Sequence, residues 1–222
     1  KLADRLKGRS SVLLIERGNQ ILKHFSPSLR KTGKRGLQER GVQLYLNTAV
    51  TQIAAEQVTI SQNNQNQTLP VDLVIWTAGT KLGEWLSRLD CEKNQASKLI
   101  AHPTLQLRGY REVLVLGDIA EIRNGQKFMP ATAQVAFQQA SCAAKNLKLA
   151  MQGKKLRKFF YFHLGDMMTL GHGIGVIDSF SLTFYGKIAG FLRRLIYVQR
   201  LPTMRHRLQV LRKLLFGWQL KK

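Results

Sequence analysis

One continuous stretch, residues 113–139, constrains this chain more than any other. It opens with Val-Leu-Val-Leu, a short apolar run of the kind that forms a strand buried on both faces. Gly117 and Asp118 follow at the carboxyl end of that expected strand, the place where open α/β sheets bind ligands. A carboxylate there accepts hydrogen bonds from ligand hydroxyls. Pro130 and Thr132 then open an Ala-rich helix whose unpaired N–H groups and positive dipole end favour an electron-rich partner. Strand, Gly-Asp and helix N-terminus together make one half of a cofactor cradle. A plain turn before an ordinary helix is the competing reading of a lone Gly-Asp.

The helix itself carries a second signal. In Ala133-Gln-Val-Ala-Phe-Gln138 two glutamines stand four residues apart, on one face. With Gly117-Asp118-Ile119-Ala120 upstream, this order of motifs resembles the type II NADH dehydrogenases, single-chain flavoenzymes that pass electrons from NADH to quinone. The resemblance implies that Gly117 and Asp118 hold the ribitol of FAD. It also implies that Ala133, Gln134 and Gln138 lie beside the isoalloxazine and the quinone pocket, with Gln134 shared between the two.

Composition points to an anionic partner. The 222 residues are 44% hydrophobic, enough for a real core, and carry a formal charge of +22. Such an excess implies a membrane surface or a nucleic acid. Cys91 and Cys142 are far apart and form no C-x-x-C, which fits a reducing compartment or simple core use. No run of about 18 apolar residues is present to span a bilayer. The first residues lack the apolar core of a signal peptide.

In chain order, residues 1–10 read as the end of a helix. Ser11 to Glu16 is then a strand ending in an acid, as the second strand of a dinucleotide-binding βαβ unit does, where the carboxylate takes hydrogen bonds from the adenosine ribose. The family resemblance places Glu16 in the NADH domain as well. Arg17 beside it leaves room for a 2′-phosphate, so NADH is favoured over NADPH without being settled. Ser26-Pro27 starts a helix that runs to about Arg40 and stops at Gly41. Residues 42–49, 50–54 and 57–61 alternate as strands of a meander, with 63–67 as a loop. Asp72 to Gly79 reads as a buried strand ending in small residues, where a nicotinamide or flavin can approach the backbone at Ala78 and Gly79. Residues 99–107 form a hairpin arm, and the Gln helix ends near Gln152-Gly153. Residues 159–162 and 167–176 read as a further glycine-rich hairpin. His163 and His172 lack the acid or Cys spacing of a metal site, and a structural role is expected for both.

No Gly-x-Gly-x-x-Gly occurs, although the resembled family has one such turn for FAD and one for NADH. The expected fold is therefore α/β, the C-terminal portion of a flavoprotein with two dinucleotide-binding domains built from Rossmann-like βαβ pieces. The expected divisions are 1–80 for the NAD(P)H domain, 81–183 for the FAD domain and 184–222 for amphipathic membrane-docking helices. Such a piece holds half of each cofactor site and is expected to be inactive alone.

The tail favours the membrane over nucleic acid. After Asp178 no acid follows, while ten Lys and Arg residues interleave with Ile188, Phe191, Leu192, Leu195 and Ile196, then Leu208, Leu211, Leu214, Leu215 and Trp218. Spacings of three and four gather the apolar residues on one face of each helix, with Pro202 between the two. Basic amphipathic helices of this kind lie in the membrane interface, drawn by anionic lipid. Helices packed on the domain with solvated charge are the alternative.

The expected partners are a membrane quinone and an anionic lipid surface, at a peripheral position on the cytoplasmic face of a thylakoid or plasma membrane. A homodimer is left open. Cyanobacterial and plastid members are the nearest in kind, and a demethylphylloquinone-type substrate is one alternative. A sulfide:quinone oxidoreductase would need redox cysteines near the flavin, which Cys91 and Cys142 do not supply. A noncatalytic nucleic-acid-binding module lacks any recognisable motif or aromatic platform here.

Overall fold

The computed structural model describes residues 10–124, 127–171, 173–179 and 182–216. The expected helix before Ser11, and His172, Trp218, Lys221 and Lys222, lie outside the described residues. Two compact units are present, one joining the chain up to Ile75 with Leu164 onward, the other running Trp76–His163.

The first unit begins with a parallel β-α-β unit. Strand β1 (Val12–Ile15) pairs with β2 (Val42–Tyr45) in register Val12 to Val42, across helix α1 (Pro27–Gln38). Ser26 caps α1 by accepting from the Leu29 amide at 3.2 Å, Pro27 opens the helix, and Gly41 lies beyond its end at φ +73°. The expected strand 42–49 breaks at Asn47, which turns left-handed, so β3 (Thr48–Ala54) begins a separate sheet. That sheet is an antiparallel meander with β4 (Gln57–Gln62) at its centre and β5 (Gln65–Pro70) at its edge. Asn63 and Asn64 both take positive φ, the geometry of a two-residue hairpin turn, so the expected loop 63–67 shortens and β5 starts at Gln65.

The rest of this unit is β9 (Asp166–Thr169), β10 (Gly175–Ser179) and β11 (Leu182–Gly186), an antiparallel sheet followed by helices α3 (Lys187–Gln199) and α4 (Met204–Phe216). Its core joins Leu29 of α1 to Leu170 and Val176. The Asp178 carboxylate accepts from Ser26 Oγ and, at 3.2 Å, from Thr183 Oγ1, which ties the α1 cap to this sheet. Helix α3 lies against β10 because both surfaces are bare. A Cβ on Gly175 would stand 2.9 Å from the Gly190 backbone, and one on Gly190 would stand 2.4 Å from the Gly173 carbonyl. Residues 164–183, grouped with the middle segment by the sequence reading, thus cluster with the first unit.

The second unit contains β6 (Leu99–Ala101) parallel to β7 (Ala120–Asn124), β8 (Lys127–Phe128) and the long helix α2 (Ala133–Met151). Leu99, Leu105, Leu107, Val115, Val135 and Phe159 lie in its core.

Three expected strands do not form. Residues 72–79 have no ladder partner among the described residues, and Leu73 (75% exposed) and Trp76 (60%) face solvent. An apolar run becomes a buried strand only where neighbours supply hydrogen bonds on both edges. Val113–Leu116 contributes a single bridge, Leu114 to Gln106, and its Val113 is exposed while Val115 is buried. Residues 159–162 stay outside any sheet, and the glycine-rich hairpin forms from β9, β10 and β11 instead.

Candidate functional site

The Gly-Asp motif sits in a single 3-10 turn, Gly117–Ile119, just before β7. Gly117 has φ +76°, a conformation that L side chains rarely adopt. Its amide donates to Oε1 of the buried Gln139 at 2.7 Å, and its α-carbon lies near Ala136, so two residues of α2 hold the turn in place. Asp118, the next residue, is exposed and has no hydrogen-bond or ion-pair partner among the described residues. The turn therefore presents a carboxylate whose acceptor capacity the described residues do not use.

Helix α2 begins as expected. Thr132 is its cap and accepts from the Val135 amide at 3.3 Å, while the amides of Ala133 and Gln134 fall in the first turn, where helices lack internal partners. One stripe of the helix, Val135, Gln139, Ala143 and Asn146, is buried. Its two polar members are hydrogen-bonded. Gln139 takes Gly117, and Asn146 donates to the carbonyls of Thr104 and Arg157 and accepts from the Arg157 amide, each at 2.9 Å.

The neighbouring stripe carries Gln134 and Gln138, and both grip the aromatic segment after the helix. Gln138 makes a two-point contact with the Phe162 backbone, donating to its carbonyl at 2.7 Å and accepting from its amide at 3.0 Å. Gln134 Oε1 accepts from the Tyr161 hydroxyl at 2.7 Å, and that hydroxyl meets His163 Nδ1 at 2.9 Å. The structure thus brings Gly117, Asp118, Ala133, Gln134 and Gln138 onto one turn and one helix. Tyr161, Phe162, Gln139 and Asn146 complete the arrangement.

Comparison with known proteins gives this arrangement a lineage. The family profile described as pyridine nucleotide-disulphide oxidoreductase matches residues 2–140. The chain belongs to the pyridine nucleotide-disulphide oxidoreductase family. Among curated relatives it is 36% identical, over 95% of its length, to the demethylphylloquinone reductase NdbB of Synechocystis, and covers 52% of that protein. It is 31% identical, over 94% of its length, to the alternative NAD(P)H-ubiquinone oxidoreductase C1 of Arabidopsis thaliana, covering 44% of it. Its fold is similar to the solved NDH2 of Plasmodium falciparum in complex with NADH, at TM-score 0.79 and 16% identity over 97% of this chain and 61% of that one. The chain spans about half the length of the curated relatives it matches.

The remaining sequence-derived residues belong to other segments of the chain. Glu16 lies just past β1, in the first unit, where its Oε1 accepts from the Gly18 amide at 2.7 Å and the chain turns around it. Ala78 and Gly79 lie in the exposed, irregular stretch after Ile75. Cys91 and Cys142 are free thiols, both packed against the second unit's core. Burial pushes the Cys142 thiol up, away from the reactive thiolate. His163 Nδ1 lies 2.9 Å from the Tyr161 hydroxyl.

Gln139, Asn146 and Tyr161 escaped the sequence reading. A signal for the first two was present, because 135, 139, 143 and 146 follow helical spacing and place two amides on an otherwise apolar stripe. A buried amide at such a position needs partners, and those partners were distant in sequence. Tyr161 had no local signal.

Proposed function

We propose that the chain is a C-terminal portion, carrying part of each cofactor site, of an FAD-dependent NAD(P)H:quinone oxidoreductase, a type II NADH dehydrogenase like the relatives it matches. FAD, when bound, would supply the two-electron chemistry that links NAD(P)H oxidation to quinone reduction. The protein's own residues position and insulate. Asp118 accepts hydrogen bonds from the ribitol hydroxyls, and Gly117 keeps the turn close to the helix. The Ala133 and Gln134 amides face the electron-rich part of the ring. Gln134 and Gln138 border the quinone side, Gln138 by holding the Phe162 backbone in place. Glu16 takes the adenosine ribose of the nicotinamide cofactor, and Ala78 and Gly79 give a backbone path beside it. The 36% identity to a demethylphylloquinone reductase favours a naphthoquinone-type substrate.

The observation that carries this reading is the Asp118 carboxylate, without a partner among the described residues, on a turn whose shape is set by Gln139 and by a helix N-terminus. A cluster of hydroxyls next to an electron-rich ring fits that donor and acceptor set. The ten Lys and Arg residues after Gly186 and the apolar side chains exposed among them support docking on an anionic lipid surface, from which a lipid-soluble quinone is delivered.

The test is flavin retention in the native protein that contains this chain. Asp118→Ala removes charge-assisted hydrogen bonds worth roughly 1.5–3 kcal/mol and is expected to weaken FAD binding by about ten- to a hundredfold. Flavin absorbance after gel filtration reads this directly. Unchanged flavin content on dilution would remove Asp118 from the site.

A further inference from the structure

We propose that Gln139 is a cofactor-binding residue whose side-chain N–H2 donates to a hydroxyl oxygen of the flavin's ribitol, as the donor complement of the accepting Asp118. This rests on the quinone reductase reading above and deepens it.

The orientation of the Gln139 amide is set by its partner. The Gly117 amide donates to Gln139 Oε1 at 2.7 Å. A backbone N–H only donates, so the atom facing it is the amide oxygen, and a turned-over amide would set donor against donor. The nitrogen is thereby directed elsewhere. It carries two N–H donors and has no hydrogen-bond partner among the described residues. Gln139 is 2% exposed, with Val135 and Ala143 one turn to either side on the same buried stripe. Its nitrogen is nevertheless not sealed, because Arg193 Nε is the one unpartnered side-chain atom closed to solvent among the described residues. A nearly buried side chain thus spends its oxygen on the turn and brings a free donor to the surface of the helix. Burial of an amide is unfavourable unless both of its ends are bonded, so this position asks for an acceptor from outside the described residues.

The neighbouring residue says which kind of acceptor. Oxygen and nitrogen of one amide share a carbon, so the free donor lies beside the Gly117 turn, and Asp118 is the next residue of that turn. An ionised carboxylate accepts and never donates, while an amide N–H2 donates and never accepts. A hydroxyl does both, and a run of hydroxyls answers the two groups together. A phosphate there would meet the Asp118 charge, and a hydrocarbon chain would leave both groups unpaired. The ribitol of a flavin is a run of hydroxyls.

The experiment is a binding cycle on the native protein that contains this chain, stripped of flavin. It is titrated with FAD and with three FAD analogues, each lacking one ribitol hydroxyl, and binding is read from flavin fluorescence. Gln139→Glu, at pH 8, keeps an oxygen for the Gly117 amide and removes the N–H2. It is expected to weaken FAD by about five- to tenfold, and to weaken one of the three analogues by less than about twofold. A general disturbance of the site, the new charge included, weakens all four ligands alike and drops out of that comparison. Gln139→Met, which removes both ends of the amide, is expected to lose more FAD affinity and to show the same analogue dependence, and it decides alone where Gln139→Glu does not fold. Equal penalties for FAD and all three analogues overturn the proposal, as does an unchanged FAD affinity in Gln139→Glu. A native protein that takes up none of the four flavins overturns the functional reading itself, and the proposal with it.

Discussion

Helix α2 and the helix pair α3–α4 are both amphipathic, yet they treat polarity in opposite ways. On α2 the polar side chains that matter are amides, and they are spent inside the protein. Gln139, Asn146, Gln138 and Gln134 each bind a named backbone or side-chain group, and the first two are fully buried. On α3 and α4 the charged side chains are all cations, without a single acid among residues 182–216. Their apolar neighbours point outward instead. Leu208 is 60% exposed and Leu215 is 52% exposed, and Ile188, Phe191 and Leu192 of α3 are exposed as well. Arg193 and Arg200 lie over the Tyr197 ring at 4.4 and 5.5 Å, and Arg207 donates to the Leu201 carbonyl at 2.9 Å. Hydrogen-bonded amides fix distances to a few tenths of an ångström, which suits a small ligand. Uncompensated charge with exposed hydrocarbon fixes no distance and suits an extended surface. No described helix is long and apolar enough to cross a membrane.

The contrast is sharpest at Asn146. Asn146→Ala would orphan two carbonyls and one amide at once, and each buried unpaired group costs about 1–3 kcal/mol. A destabilisation of at least about 3 kcal/mol is expected in urea unfolding followed by the near-UV signal of the second unit. A change below about 1 kcal/mol would mean that water replaces the amide and that α2 does not pin residues 104 and 157.

Next in size is the exposed stripe of α4. Changing Leu208 and Leu215 together to Glu should leave the unfolding midpoint within error, since both already face solvent. Binding to vesicles of anionic phospholipid should drop by about two orders of magnitude, from the loss of two insertions worth about 1.5 kcal/mol each. Leu211 and Leu214, which are half-buried, are the poorer choice for this test. Salt should weaken the wild-type interaction without abolishing it, because Debye screening acts on the cations and leaves the hydrocarbon term. Release by salt alone would reduce this region to a plain polybasic patch and bring nucleic acid back as a partner.

The smallest effect concerns pH. The Glu121 carboxylate accepts from Asn94 Nδ2 and pairs with Arg123 at 3.0 Å, and those contacts, the Asn94 hydrogen bond foremost, hold its pKa below the ordinary carboxylate value. A lowered folded-state pKa means stability that is present above the unfolded value, about 4.3, and lost as pH falls through the folded one. Glu121→Gln should therefore cost up to about 1 kcal/mol at neutral pH and nothing at strongly acid pH, because Arg123 is largely exposed. Urea midpoints of both proteins across that range should converge on acidification. Parallel curves would show that Glu121 titrates alike in the folded and unfolded chain.

Much of this was readable in the chain alone. Short-range rules governed it. Ser26-Pro27 and Gly41 bound α1, Thr132 caps α2, Gly153 follows its end at φ +63°, and Pro202 parts α3 from α4, because caps, φ restrictions and missing N–H groups act within a few residues. The Gly117-Asp118 turn and the Ala133-Gln134 helix start were legible for the same reason. Tertiary structure alone decided the rest. Residues 72–79, 113–116 and 159–162 have the composition of strands, but a strand exists only where another backbone offers its ladder, and no local pattern encodes that neighbour. In the same way the grip of Gln138 on the Phe162 backbone was not legible in sequence, because the donor and acceptor within about 3 Å of an amide are brought there by the tertiary fold.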